Sequence, residues 1–421
     1  MENYAFNNRL WARIALVNFF IVALAGIALR YKINFALPAV NQKYLLHAHS
    51  HFAFAGWAAL ALMTLMIHYL QRQGEASINY KKYHWLLVVN CISAYGMLIF
   101  FFLQGYALYS ISFSTLSIFV AYVFAFYYWK DLNKLKDRQC AYPWFRASLV
   151  LWVVSSLGAF ALAYLMANRI TSQDYYFGAI YFFLHFQYNG WFLFACFGLL
   201  FSLVFQQKNA AEGAPHKQLF MTMMITVWPA YLLSILWLKL PDILYWIADI
   251  AGILQLAALF YFVRLLIFLK RKNKYRLTKM TRYLWALASL AFIIKIVLQA
   301  LSMIPALNTY AFGYRAVVVG YLHLSFLGII SFFILGYMNQ ALSGKKNFLP
   351  PGGVILFVAG VISQEIILMF QGLEAIELKV LPHASIILFY TTVAIGAGLA
   401  WIAFKTSAGK EKAQEPNAVL D

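Results

Sequence analysis

The chain reads as all-α: a polytopic membrane protein of twelve transmembrane helices, arranged as a pseudo-threefold bundle of four-helix repeats. Three observations predict this. Hydrophobic residues make up 63%, aromatic residues 19% and charged residues 11% of its 421 positions, which leaves too little polar surface to coat a water-soluble globule. Apolar runs of about 20 residues, enough to cross the hydrocarbon core, recur along the whole length. Finally, His51, His185 and His323 each precede a glycine by five residues, in HSHFAFAGW, LHFQYNGW and YLHLSFLGI, at intervals of 134 and 138 residues. Near-equal spacing of one pattern is the mark of an internal repeat.

Taken in order, the apolar runs fall at 11–30, 45–70, 84–108, 109–129, 145–168, 175–206, 218–239, 240–269, 283–304, 309–338, 351–373 and 382–405. They form one transmembrane domain over 1–405 with repeats 11–129, 145–269 and 283–405. A polar tail, 406–421, is expected to be disordered and cytoplasmic. Basic residues gather after the even-numbered runs, in KDLNKLKDR, KRKNKYRLTKMTR and SGKKN, and at Lys405, Lys410 and Lys412, whereas ITSQDYY and SMIPALNTY carry little charge. By the positive-inside rule both termini face the cytoplasm, in a bacterial-type inner membrane. The net charge of +19 therefore belongs to topology signals and excludes a nucleic-acid partner. Cys91, Cys140 and Cys196 are too scattered for a disulfide framework or a zinc site. The first run follows Arg9 and Arg13 and is long enough to stay as a span, so no cleaved signal peptide is expected.

This topology places the repeated histidines on helices two, six and ten, each in the outer half of its span. An ionisable imidazole in a bilayer needs a partner and is a functional candidate by default. Two imidazoles on facing helices, an aromatic wall and basic groups near the membrane surface are what a six-coordinate haem requires. Within HAHSH, His47 and His51 share a face and His49 points the other way. Spacing to the glycine selects His51, with His49 as the alternative ligand or a propionate contact. Gly56, Gly190 and Gly328 leave room for a flat ring or for a close neighbouring helix. Arg315, just outward of His323, is either a propionate partner or an interface anchor.

In this organisation the chain resembles the catalytic subunit of haem-copper oxidases and nitric oxide reductases. That resemblance implies that His51 and His323 ligate a low-spin, b-type haem. HFQYNGWF is similar to the reductase pattern H-x-x-x-E-G-x-W, which implies a non-haem metal ligand at His185, with Asn189 replacing the metal-binding glutamate. The chain departs from the family in three places. Helix seven, FMTMMITVWPAYLLSILW, has no histidine pair; Tyr321 stands where the high-spin haem ligand would be; and the oxidase tyrosine is missing, Tyr188 lying one residue short of it. A second haem or a copper is thus left without a full ligand set. His185 is either a metal ligand or a histidine bonded to a neighbouring helix, and Tyr321 either a phenolate ligand or a packing residue.

The other titratable groups have plainer readings. His68 and His84 belong to the inner interface, His216 to a cytoplasmic loop, and His383 follows Pro382 on the propionate side. Lys295, Glu365 and Asp249 fall mid-span, where a Lys295–Glu365 ion pair or a proton path is expected. The functional expectation is electron transfer or diatomic gas handling, as an oxidoreductase or without turnover, with a quinol, cytochrome c or small redox subunit as electron donor. Two alternatives stand beside it. One is the twelve-helix haem family associated with nitric oxide stress; the other is a proton-coupled transporter using the buried histidines and charges, although mid-span prolines are nearly absent apart from Pro229.

Overall fold

The computed structural model describes residues 6–135, 139–206, 211–272, 277–344, 346–377 and 382–406. The expected tail therefore lies outside the described residues except for Thr406. No strand occurs among the described residues. Among the described residues, eleven helices are long and apolar enough to cross a membrane: Asn8–Asn34, Gln42–Arg72, Lys81–Gln104, Leu108–Leu132, Ala141–Ala167, Gln173–Val204, Asp242–Lys272, Lys279–Leu301, Arg315–Leu342, Pro351–Glu374 and Ala384–Lys405. The protein is a multi-pass membrane protein.

The expected run 218–239 is the exception, because it does not form one rod. His216–Thr226 is α-helical, and the chain then tightens into a 3-10 turn over Pro229–Ser234. Proline has no N–H to continue the ladder, and its ring crowds the carbonyl four residues back. The broken segment still follows Gln173–Val204 along most of its length. The Phe220 ring lies 6.4 Å from that of Phe194, the Trp228 ring 5.6 Å from that of Phe186, and the Tyr231 hydroxyl donates to the Gly178 carbonyl at 3.1 Å.

The three histidine-bearing helices form the centre. Their apolar windows are 94%, 78% and 56% buried, against 28–44% for the other eight. The rest pack around them, and Ala384–Lys405 closes onto Asn8–Asn34. Each central helix changes character just after its histidine, where a π-helical segment intervenes: Ala53–Ala59, Phe186–Phe192 and Leu324–Ser331. A π turn carries one extra residue, which re-aims the side chains beyond it by about 100° and loosens the backbone ladder.

Neighbouring side chains meet the loosened backbone. Asn18 Nδ2 donates to the Gly56 carbonyl at 2.8 Å and Asn90 Nδ2 to the Ala55 carbonyl at 3.0 Å, while Tyr95 donates to Asn18 Oδ1 at 2.7 Å. Two residues before each repeated glycine stand Phe54, Tyr188 and Phe326. Their rings form a triangle with centroid separations of 5.2, 5.7 and 6.0 Å. One residue after the glycine, Trp57 stacks on Phe19 at 4.2 Å and Trp191 stacks on Trp152 at 4.1 Å.

Packing differs sharply on the two sides of this triangle. Beyond it, Leu60–Leu70 and Leu193–Leu200 are wholly buried, as is Phe332–Asn339. Before it, Gln42–Phe52 buries only Leu45, Ala48 and Phe52, Gln173–His185 only Ala179 and His185, and Arg315–His323 nothing. The repeated histidines stand on the loosely packed side, at its border with the dry core.

Candidate functional site

His49 and His323 stand within electrostatic reach of each other. Electrostatically, the His323 ring interacts with His49 and Arg30. Its Nδ1 is buried with no hydrogen-bond partner, the Val319 carbonyl lying close by. His49 Nδ1 sits 3.0 Å from the Val22 carbonyl. A carbonyl only accepts, so Nδ1 carries the proton and Nε2 keeps its lone pair. Gly26 makes room for this ring, since a Cβ there would touch His49 Cε1 at 3.4 Å and Thr392 Cγ2 at 3.8 Å. Arg30 also interacts with Arg315, and neither guanidinium has an ion-pair partner among the described residues. Two cations within electrostatic reach of each other, neither in an ion pair among the described residues, attract an anionic ligand group.

His51 takes part in a different cluster. Its ring stacks on Phe101 at 4.2 Å, and Nε2 lies 3.2 Å from the Tyr106 hydroxyl. His47, one turn earlier on the same face, packs edge-on to Tyr106 at 4.7 Å, and its Nε2 is buried with no partner. The face rule inside HAHSH thus separates the histidines as expected: His51 contacts Phe101 and Tyr106, while His49 is the one within electrostatic reach of His323. His51 turns toward Lys81–Gln104 and the residues after it.

His185 is fully occupied by hydrogen bonds. Its Nε2 donates to the Val227 carbonyl at 2.7 Å, and Nδ1 accepts from Asn189 Nδ2 at 3.0 Å. The Val227 carbonyl is available because the 3-10 turn after Trp228 breaks the ladder it would have joined. With both nitrogens committed, His185 does not offer a metal a lone pair in this arrangement. The reading as a histidine bonded to a neighbouring helix is therefore the one its contacts match, and Asn189, in the family's glutamate position, orients the ring.

The glycines serve packing. A Cβ at Gly190 would stand 2.8 Å from Leu151 Cβ, one at Gly328 3.1 Å from Ala291 Cβ, and one at Gly56 2.8 Å from the Phe52 ring of its own helix. Gly190 and Gly328 thus give the close approach to a neighbouring helix that was expected, whereas the atoms nearest Gly56 belong to its own helix. Lys295, 3% exposed, donates to Gln299 Oε1 at 2.7 Å and lies 5.8 Å from the Tyr321 ring centroid. The expected pair with Glu365 is not formed: one Glu365 carboxylate oxygen is buried without a partner, and Asp249 is half-buried in no ion pair. His68, four residues before its helix ends at Arg72, is 7% exposed, with neither ring nitrogen hydrogen-bonded. His383 is exposed, with φ 64°, and His84 packs edge-on to Trp11 at 5.5 Å.

Among the described residues no three His, Cys, Asp or Glu side chains gather as a metal-ligand group. Arg30 and Gly26 went unnoticed in the sequence, where an arginine ending an apolar run is an ordinary boundary residue and an isolated glycine carries no pattern. No family model and no curated protein matches the chain.

Proposed function

We propose that the chain is a membrane haem protein, organised like the catalytic subunits of haem-copper oxidases and nitric oxide reductases, that holds one low-spin, b-type haem between His49 and His323. The observation that carries this reading is the tautomer and placement of His49. A haem-ligating imidazole characteristically donates its other N–H to a carbonyl, and His49 donates to Val22 while standing within electrostatic reach of His323. Arg30 and Arg315 supply the cationic groups that propionates need. Bound haem supplies one-electron chemistry. The chain's part is to fix two imidazoles and two guanidiniums, with the aromatic triangle beneath excluding water.

The same reading leaves out a second metal centre, because His185 is saturated, helix seven has no histidine and Tyr321 faces Lys295. Electron transfer follows from a haem with both axial positions filled, with a quinol or cytochrome c as donor; handling of a diatomic gas without turnover is the reading that a carbon monoxide response would select instead. The π segments and ring triangle at all three repeated glycines, with a stacked tryptophan after two of them, support a pseudo-threefold bundle. The broken segment, aligned along Gln173–Val204, supplies the twelfth crossing and puts both termini in the cytoplasm of a bacterial-type inner membrane.

The test is the visible spectrum of the purified protein, with and without carbon monoxide. Sharp reduced bands unaltered by carbon monoxide are expected; they disappear in His49→Ala and His323→Ala and persist in His51→Ala and His185→Ala. Loss of the bands in His51→Ala with retention in His49→Ala sinks the assignment. One observation favours a second reading, proton-coupled transport: the Pro229 break stands beside His185, near a buried lysine with no carboxylate. A preparation that stays colourless after haem reconstitution, yet moves protons in vesicles, establishes that alternative.

A further inference from the structure

The face of the Gln42–Arg72 helix that bears His47 and His51 has no role in the proposed haem site, and its chemistry is that of a second ligand set. We propose that His47, His51 and Tyr106 bind one divalent transition-metal ion, Cu2+ or Zn2+, at a site separate from the haem. Two histidines four residues apart on a helix present their rings side by side, the spacing that lets one helix chelate an ion. Tyr106 closes the third side: its hydroxyl is 3.2 Å from His51 Nε2 and its ring 4.7 Å from that of His47. Donors about 2.0 Å from a tetrahedral ion stand about 3.3 Å apart, so His51 and Tyr106 are already at ligand separation. His47 Nε2, buried without a partner, costs free energy as it stands, and an ion satisfies it.

The surroundings complete the case. Gly105, with φ 65°, delivers Tyr106 to this position. A Cβ on Gly105 would strike the Tyr44 ring at 2.4 Å, so the turn is built tightly against the helix that carries the histidines. Phe101 backs both imidazoles and keeps that side dry. Lys43, one turn outward of His47, is exposed and extends its charge into solvent. Imidazole and phenolate together suit Cu2+ and Zn2+ better than a hard cation such as Mg2+. On binding, the ion replaces the Tyr106 hydroxyl proton, which is released to solvent.

Titration of the untagged, detergent-solubilised protein with Cu2+ and, separately, Zn2+ tests this. One equivalent of Cu2+ is expected to bind, with coupling to two nitrogens in the electron paramagnetic resonance spectrum and a phenolate-to-copper charge-transfer band. His47→Gln and His51→Gln each weaken binding by roughly tenfold or more, and Tyr106→Phe removes the band. His49→Ala and His323→Ala leave the copper signal unchanged, so failure of the haem reading and failure of this one are distinguishable. Copper raises the unfolding temperature of the parent protein and not that of Tyr106→Phe, a comparison that needs only a mildly altered variant. Unchanged affinity in His47→Gln and His51→Gln, or a copper signal lost only in His49→Ala, overturns the proposal.

Discussion

Asn18 shows how a single amide stabilises an irregular backbone in a dry setting. Its Nδ2 serves the Gly56 carbonyl inside a π segment and its Oδ1 receives the Tyr95 hydroxyl, so Asn18→Ala strands a buried acceptor and a hydroxyl together. Thermal unfolding in detergent is expected to report a loss of about 1–3 kcal/mol. Gly190 acts by its lack of a side chain. A methyl there would sit 2.8 Å from Leu151 Cβ, and overpacking of that kind costs about 1–3 kcal/mol. Gly190→Ala should lower the unfolding temperature, and Leu151→Ala combined with it should recover part of the loss; a simple additive penalty counts against this contact.

At the scale of elements, the break at Pro229 and the bonding of His185 are one feature. The broken helix leaves the Val227 carbonyl without a ladder partner, and His185 supplies the N–H. His185→Phe is expected to destabilise the protein by about 1–3 kcal/mol, through the stranded Val227 carbonyl and Asn189 amide, while leaving the proposed haem spectrum intact. A bleached but stable variant contradicts it. The pairing of Lys81–Gln104 with Leu108–Leu132 depends similarly on Asp131, which is 0% exposed, pairs with Lys82 and with Lys134 at 2.9 Å, and accepts from the Tyr83 hydroxyl at 2.8 Å. Lys82 and Lys134 keep 21% and 35% exposure, so the charge left behind stays solvated and the loss is that of charge-assisted hydrogen bonds, about 1–3 kcal/mol. Asp131→Asn should therefore lower the unfolding temperature in a thermal screen.

For the whole molecule, the number of crossings sets the side of each terminus. Eleven crossings put the ends on opposite sides; twelve, counting the broken segment, put both on the same side, which the basic connections predict to be the cytoplasm. Reporter fusions at each end are expected to read cytoplasmic, and opposite readings remove the broken segment from the count of spans. The membrane class and eleven of the spans were legible in the chain, because length and apolarity alone decide what crosses hydrocarbon. The equal spacing of His51, His185 and His323 also pointed to the three central helices, which proved to be the ones most enclosed by the rest.

Composition and period determined where the rods are, since both are local quantities summed along the chain. Which histidine meets which partner was a matter for the tertiary structure. The glycine interval favoured His51 over His49, yet two positions along one helix differ by about 200° of rotation, and only the placement of Val22, Gly26, Phe101 and Tyr106 on other parts of the chain shows which side each ring faces. The π segments escaped the sequence for the same reason. In the first of them, Asn18 and Asn90 of two other helices hydrogen-bond the Gly56 and Ala55 carbonyls, contacts between distant positions that no local pattern displays.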